Sequence, residues 1–332
     1  MRSGSTRQKS MKRGCLWLLL ILGLGMPLVA FSAGPPGDKV LNPGAELWKE
    51  VRGRQPAPAT TQVQGRDTAV LINPWGERFR DYRRDRYIRY SGYLLAGVVG
   101  LLLLYHLLHG GLEVAESGRK VLRFEATERI VHWLLAVVFL ALAVTGAILA
   151  FGRFVILPWL GGEAFSVIAA VSKQAHNLLG PLFIVALLWF FVLFVGRNLP
   201  KLVDLLWLIR AGGMLGGGHP PAGFFNGGEK IWFWILAVGG AVVSASGIVL
   251  DFPSLVEGRD PLVLALVVHG AAAVILIAAS FGHMYLGTVG VKGSLQGMIT
   301  GLVDEAWART HHALWYEQLK GKKKAVERNA GE

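Results

Sequence analysis

The chain has 332 residues, 53% of them hydrophobic, and a formal net charge of +12 at neutral pH. Its repeated apolar runs exclude an ordinary soluble globule, and its basic residues flank those runs instead of forming a soluble basic face, which argues for anionic lipid rather than nucleic acid as the neighbour. A single cysteine, Cys15, with no CxxC pair, excludes thiolate-held iron–sulfur clusters, zinc ribbons and covalently attached haem. Any redox centre must be held by other side chains, and histidine is the candidate.

In chain order, residues 1–33 read as a signal peptide. Arg2, Arg7, Lys9, Lys12 and Arg13 precede an apolar run at 15–29, and small residues follow at Ala30, Ser32 and Ala33. An uncleaved anchor helix is the alternative, and both readings put the following residues outside. Lys12, Arg13 and Gly14 before Cys15 do not form a lipobox. Residues 34–90 read as a polar, periplasmic segment with a short strand at Val70-Leu71-Ile72 and an Arg-rich run at 79–90. Those arginines oppose the usual cytoplasmic excess of basic residues.

Five later runs reach the ~20 residues needed to cross a bilayer: about 91–112, 130–151, 174–195, 231–252 and 262–287. The expected fold is all-α: a polytopic transmembrane bundle with a four-helix core at 113–290 and one extra helix at 91–112. With residue 34 outside, loops 113–129 and 196–230 and the tail 291–332 fall inside, and all three are rich in Lys and Arg. The outer loops 152–173 and 253–261 carry only Arg153, Lys173 and Arg259.

Four histidines sit near the ends of these apolar runs, where a polar side chain is expensive and usually functional. Depth places His132 and His283 toward the inner face and His176 and His269 toward the outer face. His269 and His283 are 14 residues apart, roughly 21 Å along a helix and on nearly one side of it. The pairs His176/His269 and His132/His283 can each supply two imidazole nitrogens to one haem iron. Helix-to-helix hydrogen bonding is the competing explanation. Gly146, Gly180 and Gly270-Ala271-Ala272-Ala273 offer room for flat porphyrins, although small residues also serve close helix packing. His106 and His109 read as interfacial anchors, His219 lies in a Gly/Pro-rich loop, and His311 and His312 fall on an expected surface helix with Trp307 and Trp315.

Several stretches carry a resemblance: 124–133 (FEATERIVHW), 176–180 (HNLLG), 225–230 (FNGGEK), 269–273 (HGAAA), 283–285 (HMY), 291–294 (VKGS), Gly297-Met298 and 307–316 (WARTHHALWY). With the histidine spacing, they resemble the gamma (cytochrome b) subunit of respiratory membrane-bound formate dehydrogenases over about residues 120–320. The resemblance implies two haem b groups on His132, His176, His269 and His283. It implies menaquinone or ubiquinone as acceptor, bound near Asn226, Gly228 and Glu229. Glu229 stands where the family pattern has Gln. A plain helix cap, with Asn226 as cap and Glu229 answering it, is the other reading of this loop.

The resemblance further implies an iron–sulfur (beta) subunit outside that passes electrons inward, and a molybdenum or tungsten catalytic (alpha) subunit that oxidises formate. The expected location is a bacterial inner membrane, with the C-terminus cytoplasmic as a cap near the quinone site, its Trp and Tyr at the interface. A dihaem cytochrome b of a hydrogenase or thiosulfate reductase, and a haem-free anchor or transporter, are the alternatives.

Overall fold

Helix boundaries follow from where free backbone N–H groups find partners. The computed structural model describes residues 74–213 and 218–330; the expected signal peptide, Cys15 and the strand at Val70-Leu71-Ile72 lie outside the described residues. Helix α1 (Pro74–Tyr82) begins on proline, whose missing N–H is harmless in a first turn. It continues through a π-helical turn, Arg83–Tyr87, into α2 (Ile88–His109). The end of the expected polar segment is therefore helical and runs directly into the first span. Its arginines are partly answered by acids one turn or one residue away: Arg84 reaches Asp81 at 3.5 Å and Asp85 at 2.8 Å.

Helix α3 (Ala126–Val155) starts on a capping box, with the Glu125 N–H donating to Glu128 at 2.9 Å. Helix α4 (Leu157–Phe194) has 38 residues, about 57 Å at 1.5 Å per residue, against a hydrocarbon core of about 30 Å. The expected outer loop at 152–173 is therefore mostly helix. The backbone breaks at Gly161 (φ 75°), but the helix resumes at once. Helices α5 (Leu202–Ile209), α6 (Gly227–Asp251) and α7 (Asp260–Tyr285) complete the main bundle. Among the described residues, five helical stretches are long and apolar enough to cross a membrane. Their outer faces carry side chains such as Leu107, Leu178 and Val192, each more than 70% exposed, a surface suited to lipid contact.

Helices α3 and α4 pack as one hairpin and α6 and α7 as another, with α4 joining the two and α2 leaning on α7. Leu135, Val138, Phe183, Ala186, Leu187 and Leu236 form the mid-bundle core. Small residues set the helix spacing here: a Cβ on Gly240 would lie 2.6 Å from Leu187 Cδ2, and one on Gly239 would lie 2.8 Å from Leu276 Cδ2.

The chain after α7 is a folded cap. It contains α8 (Ser294–Thr300), β2 (Leu302–Asp304), α9 (Glu305–His311) and α10 (Ala313–Ala330). Strand β1 (Lys120–Leu122) pairs antiparallel with β2, Val121 opposite Val303. This small ribbon ties the loop before α3 to the tail.

The Gly240 contact yields a stability prediction. Gly240→Leu should destabilise the chain by about 1–3 kcal/mol through overpacking, read as a lower thermal midpoint in detergent. Gly97→Ala, where a Cβ would meet nothing within 4 Å, should leave the midpoint unchanged.

Candidate haem-binding site

The four histidines form two pairs, each crossing from one hairpin to the other. His176 on α4 faces His269 on α7 with ring centroids 6.1 Å apart, and His132 on α3 faces His283 on α7 at 6.2 Å. With metal–imidazole bonds of about 2 Å, two rings clamping one metal from opposite sides hold their centroids roughly 6 Å apart. All four rings are partly buried and turned toward the bundle. The pairing expected from depth is the pairing observed.

The outer pair is oriented through its Nδ1 atoms. His269 Nδ1 lies 3.0 Å from the Val243 carbonyl oxygen. A carbonyl can only accept, so Nδ1 carries the proton and Nε2 keeps its lone pair. Ser246 Oγ lies 3.3 Å from the same nitrogen. Across the bundle, the Thr145 hydroxyl donates to the Ala141 carbonyl at 2.8 Å, which leaves its oxygen to accept from His176 Nδ1 at 2.9 Å. Each hydroxyl residue is followed by a glycine. A Cβ on Gly146 would come 3.3 Å from His176 Cε1, and one on Gly247 would come 3.4 Å from His269 Cε1. The sequence singles out Gly146, which clears the His176 ring itself. It misses Thr145, Ser246 and Gly247, whose signal is the repeated hydroxyl-glycine step, Thr145-Gly146 and Ser246-Gly247.

The inner pair is held by aromatic contact. Trp232 on α6 stacks on His283 at 4.8 Å, with 13° between planes, and Trp133 stands edge-on to His132 at 5.3 Å. His132 Nδ1 is buried with no hydrogen-bond partner, an arrangement that favours occupancy by a group from outside the chain. At Gly180 a Cβ would meet nothing within 4 Å, so open space follows His176. Gly270 differs from expectation: a Cβ there would lie 2.6 Å from Tyr87 Oη, so it makes room for the entry to α2 rather than for a porphyrin. The donor set, two facing imidazoles at each depth, suits iron porphyrins.

The loop expected to meet quinone forms a capping box. Asn226 Oδ1 accepts from the Glu229 N–H at 2.9 Å, and the Asn226 N–H donates to Glu229 Oε2 at 2.8 Å. Gly228 sits under the Trp207 ring, 2.9 Å from where its Cβ would stand. Glu229 Oε1 accepts from Arg123 Nη2 at 3.1 Å. One helical turn beyond Glu229 is Trp232, the residue on His283. The loop thus lies beside the inner pair with one amide oxygen already committed to the cap.

The expected surface position of the tail aromatics is overturned. Trp307, Trp315 and Tyr316 are buried, and His312 is 1% exposed. They enclose Arg123, whose guanidinium carbon lies 4.8 Å from the Trp307 centroid and 5.7 Å from Trp315, with Phe124 and Phe224 at 5.2 and 5.5 Å. Burial lowers the Arg123 pKa from its ordinary value and Glu229 opposes the shift; the group stays charged. The charge draws these rings inward through cation–π contact. His106 also departs from simple anchoring: its Nδ1 lies 3.3 Å from Tyr285 Oη. His109 stacks on Tyr105 at the exposed end of α2.

A bundle of spanning helices with paired imidazoles at two depths defines a membrane cytochrome of the b type. The prokaryotic cytochrome b561 family matches residues 123–301, and the chain belongs to that family. Helices α1 and α2 precede the matched residues. The nitrate-inducible formate dehydrogenase cytochrome b556(Fdn) subunit of Escherichia coli K12 is 32% identical over 209 residues, covering 61% of this chain and 94% of that protein. The formate dehydrogenase cytochrome b556 subunit of Haemophilus influenzae is 28% identical over 212 residues, covering 62% and 86%. The cytochrome b556(fdo) subunit of E. coli K12 is 28% identical over 213 residues, covering 63% and 97%. Haem b is the cofactor that the family implies.

Substitution at either depth tests the pairing. His176→Ala or His269→Ala should remove one haem, leaving about half the wild-type content, and the remaining spectrum should be that of the inner group. His132→Ala or His283→Ala should leave the outer group. Equal loss of both groups in all four variants would contradict the pairing.

Proposed function

We propose that the chain is the cytochrome b subunit of a formate dehydrogenase complex in a bacterial inner membrane, with the C-terminal cap cytoplasmic. The observation that carries the reading is the pair of histidine couples at ring separations of 6.1 and 6.2 Å, joined along α7. Haem b held at each couple would supply reversible one-electron chemistry, connecting an external iron–sulfur subunit to quinone at the inner end. His176 and His269 present oriented Nε2 atoms at the donor end. His132 and His283 would hold the haem at the acceptor end, their rings packed against Trp133 and Trp232.

Asn226 would bind quinone through the part of its amide not used by the cap, with the backbone at Gly228 and the Glu229 carboxylate alongside. Menaquinone and ubiquinone both fit this description. A catalytic molybdenum or tungsten subunit outside would oxidise formate. With electrons moving inward and protons taken up inside, turnover would build membrane potential. The names of the relatives support the donor, and the Lys/Arg-rich inner loops and cap support the orientation.

Membranes holding the chain with its partner subunits provide the test. Formate should reduce two b haems per chain, and menadione should reoxidise them. Absence of a b-type α band in the reduced-minus-oxidised spectrum would end the cytochrome assignment. Reduction by hydrogen but not by formate would reassign the donor to a hydrogenase.

A further inference from the structure

Three histidines lie apart from the two couples, between the surface and the first turn of α6: His219 in the loop before α6, and His311 and His312 in the cap. His219 is exposed in the loop before α6. Its ring centroid is 4.8 Å from that of His311, whose Nε2 is buried without a partner. Trp307 packs against His311 and His312 alike, at 5.2 and 5.1 Å. His312 Nδ1 lies 2.8 Å from the Gly223 carbonyl oxygen and must donate to it. That leaves His312 Nε2 as an acceptor, 3.9 Å from Glu229 Oε2, which is also an acceptor. Two acceptors facing each other require a proton or a water between them. Glu229 is one helical turn before Trp232, which stacks on His283.

We propose that His219, His311, His312 and Glu229 form a proton-uptake line that supplies quinone reduction at the inner end. The proposal rests on the quinone reading above. Reduction of one quinone to quinol takes two electrons from the chain and two protons, and this line brings those protons from the aqueous side. The charged and titratable groups around it are Arg123 beside Glu229 and His312, and the neighbouring histidines themselves. Burial, with the Arg123 charge, holds His312 well below the ordinary histidine value. Burial, His219 and Arg123 bring His311 to about 4. Both rings are therefore neutral at rest, each with one N–H and one lone pair, so they pass protons on rather than store them. Waters complete the gaps that exceed hydrogen-bond length.

The test uses membranes with the full complex and haems pre-reduced by dithionite. Menadione then reoxidises them with proton uptake, whereas ferricyanide takes electrons without protons. His219→Gln/His311→Gln should slow reoxidation by menadione about tenfold, more at alkaline pH, with rescue by added imidazole and no change with ferricyanide. His312→Gln should do the same if it assembles; the exposed His219 position keeps the test independent of its folding. A menadione rate within about twofold of wild type between about pH 6 and pH 9, or an equal slowing with ferricyanide, would overturn the proposal. Wild-type haems that menadione cannot reoxidise would instead remove the quinone reading itself.

Discussion

An imidazole inside an apolar bundle has two nitrogens to account for, and each ring of the outer pair accounts for one of them within the protein. The Val243 carbonyl and the Thr145 hydroxyl fix Nδ1–H on His269 and His176. The other nitrogen is thereby left as a lone pair facing its counterpart across the hairpins. Such second-layer hydrogen bonds hold a ligand's tautomer and ring orientation. The helix geometry follows from the same need, because α7 must present both of its histidines toward the α3–α4 hairpin. The 14-residue separation, about 40° short of whole turns, achieves this without a kink.

The inner end has a different problem, since backbone and charge emerge there into water. Ion pairs among the preceding helices and loops gather at this end, and the cap closes over it. Lys230 meets Asp204 at 2.7 Å and also donates to the Leu199 carbonyl at 3.0 Å. Arg197 pairs with Glu128, and Arg123 with Glu229. Removing one partner from such a buried pair would leave an uncompensated charge. The aromatic rings around Arg123 bring the cap onto the end of the bundle. The first turn of α6 is thereby held between cap and inner pair, and Asn226, Glu229 and His312 come together there.

Much of this was legible in the sequence because membrane thickness and helix pitch are strong constraints. They located five spans, ordered the histidines by depth and selected the pairs. The capping box at Asn226 and Glu229 was readable from local chemistry. The Thr145/Ser246 supports were not, since a hydroxyl before a glycine gains meaning only when a neighbouring helix brings an imidazole to it. The helical continuation through 162–173 was hidden because the ~20-residue length of a span says nothing about helix beyond the bilayer. The burial of Trp307, His312 and Trp315 was also hidden. It depends on β1 pairing with β2 across 182 positions from Val121 to Val303 and on one arginine distant in sequence.

Ligation state at both depths tests the central claim most directly. Low-temperature electron paramagnetic resonance of the oxidised full chain, with near-infrared magnetic circular dichroism, reports the axial ligands of each iron. Two low-spin bis-imidazole haems per chain are predicted. A single haem, a high-spin iron or a methionine-ligated signal would contradict the account.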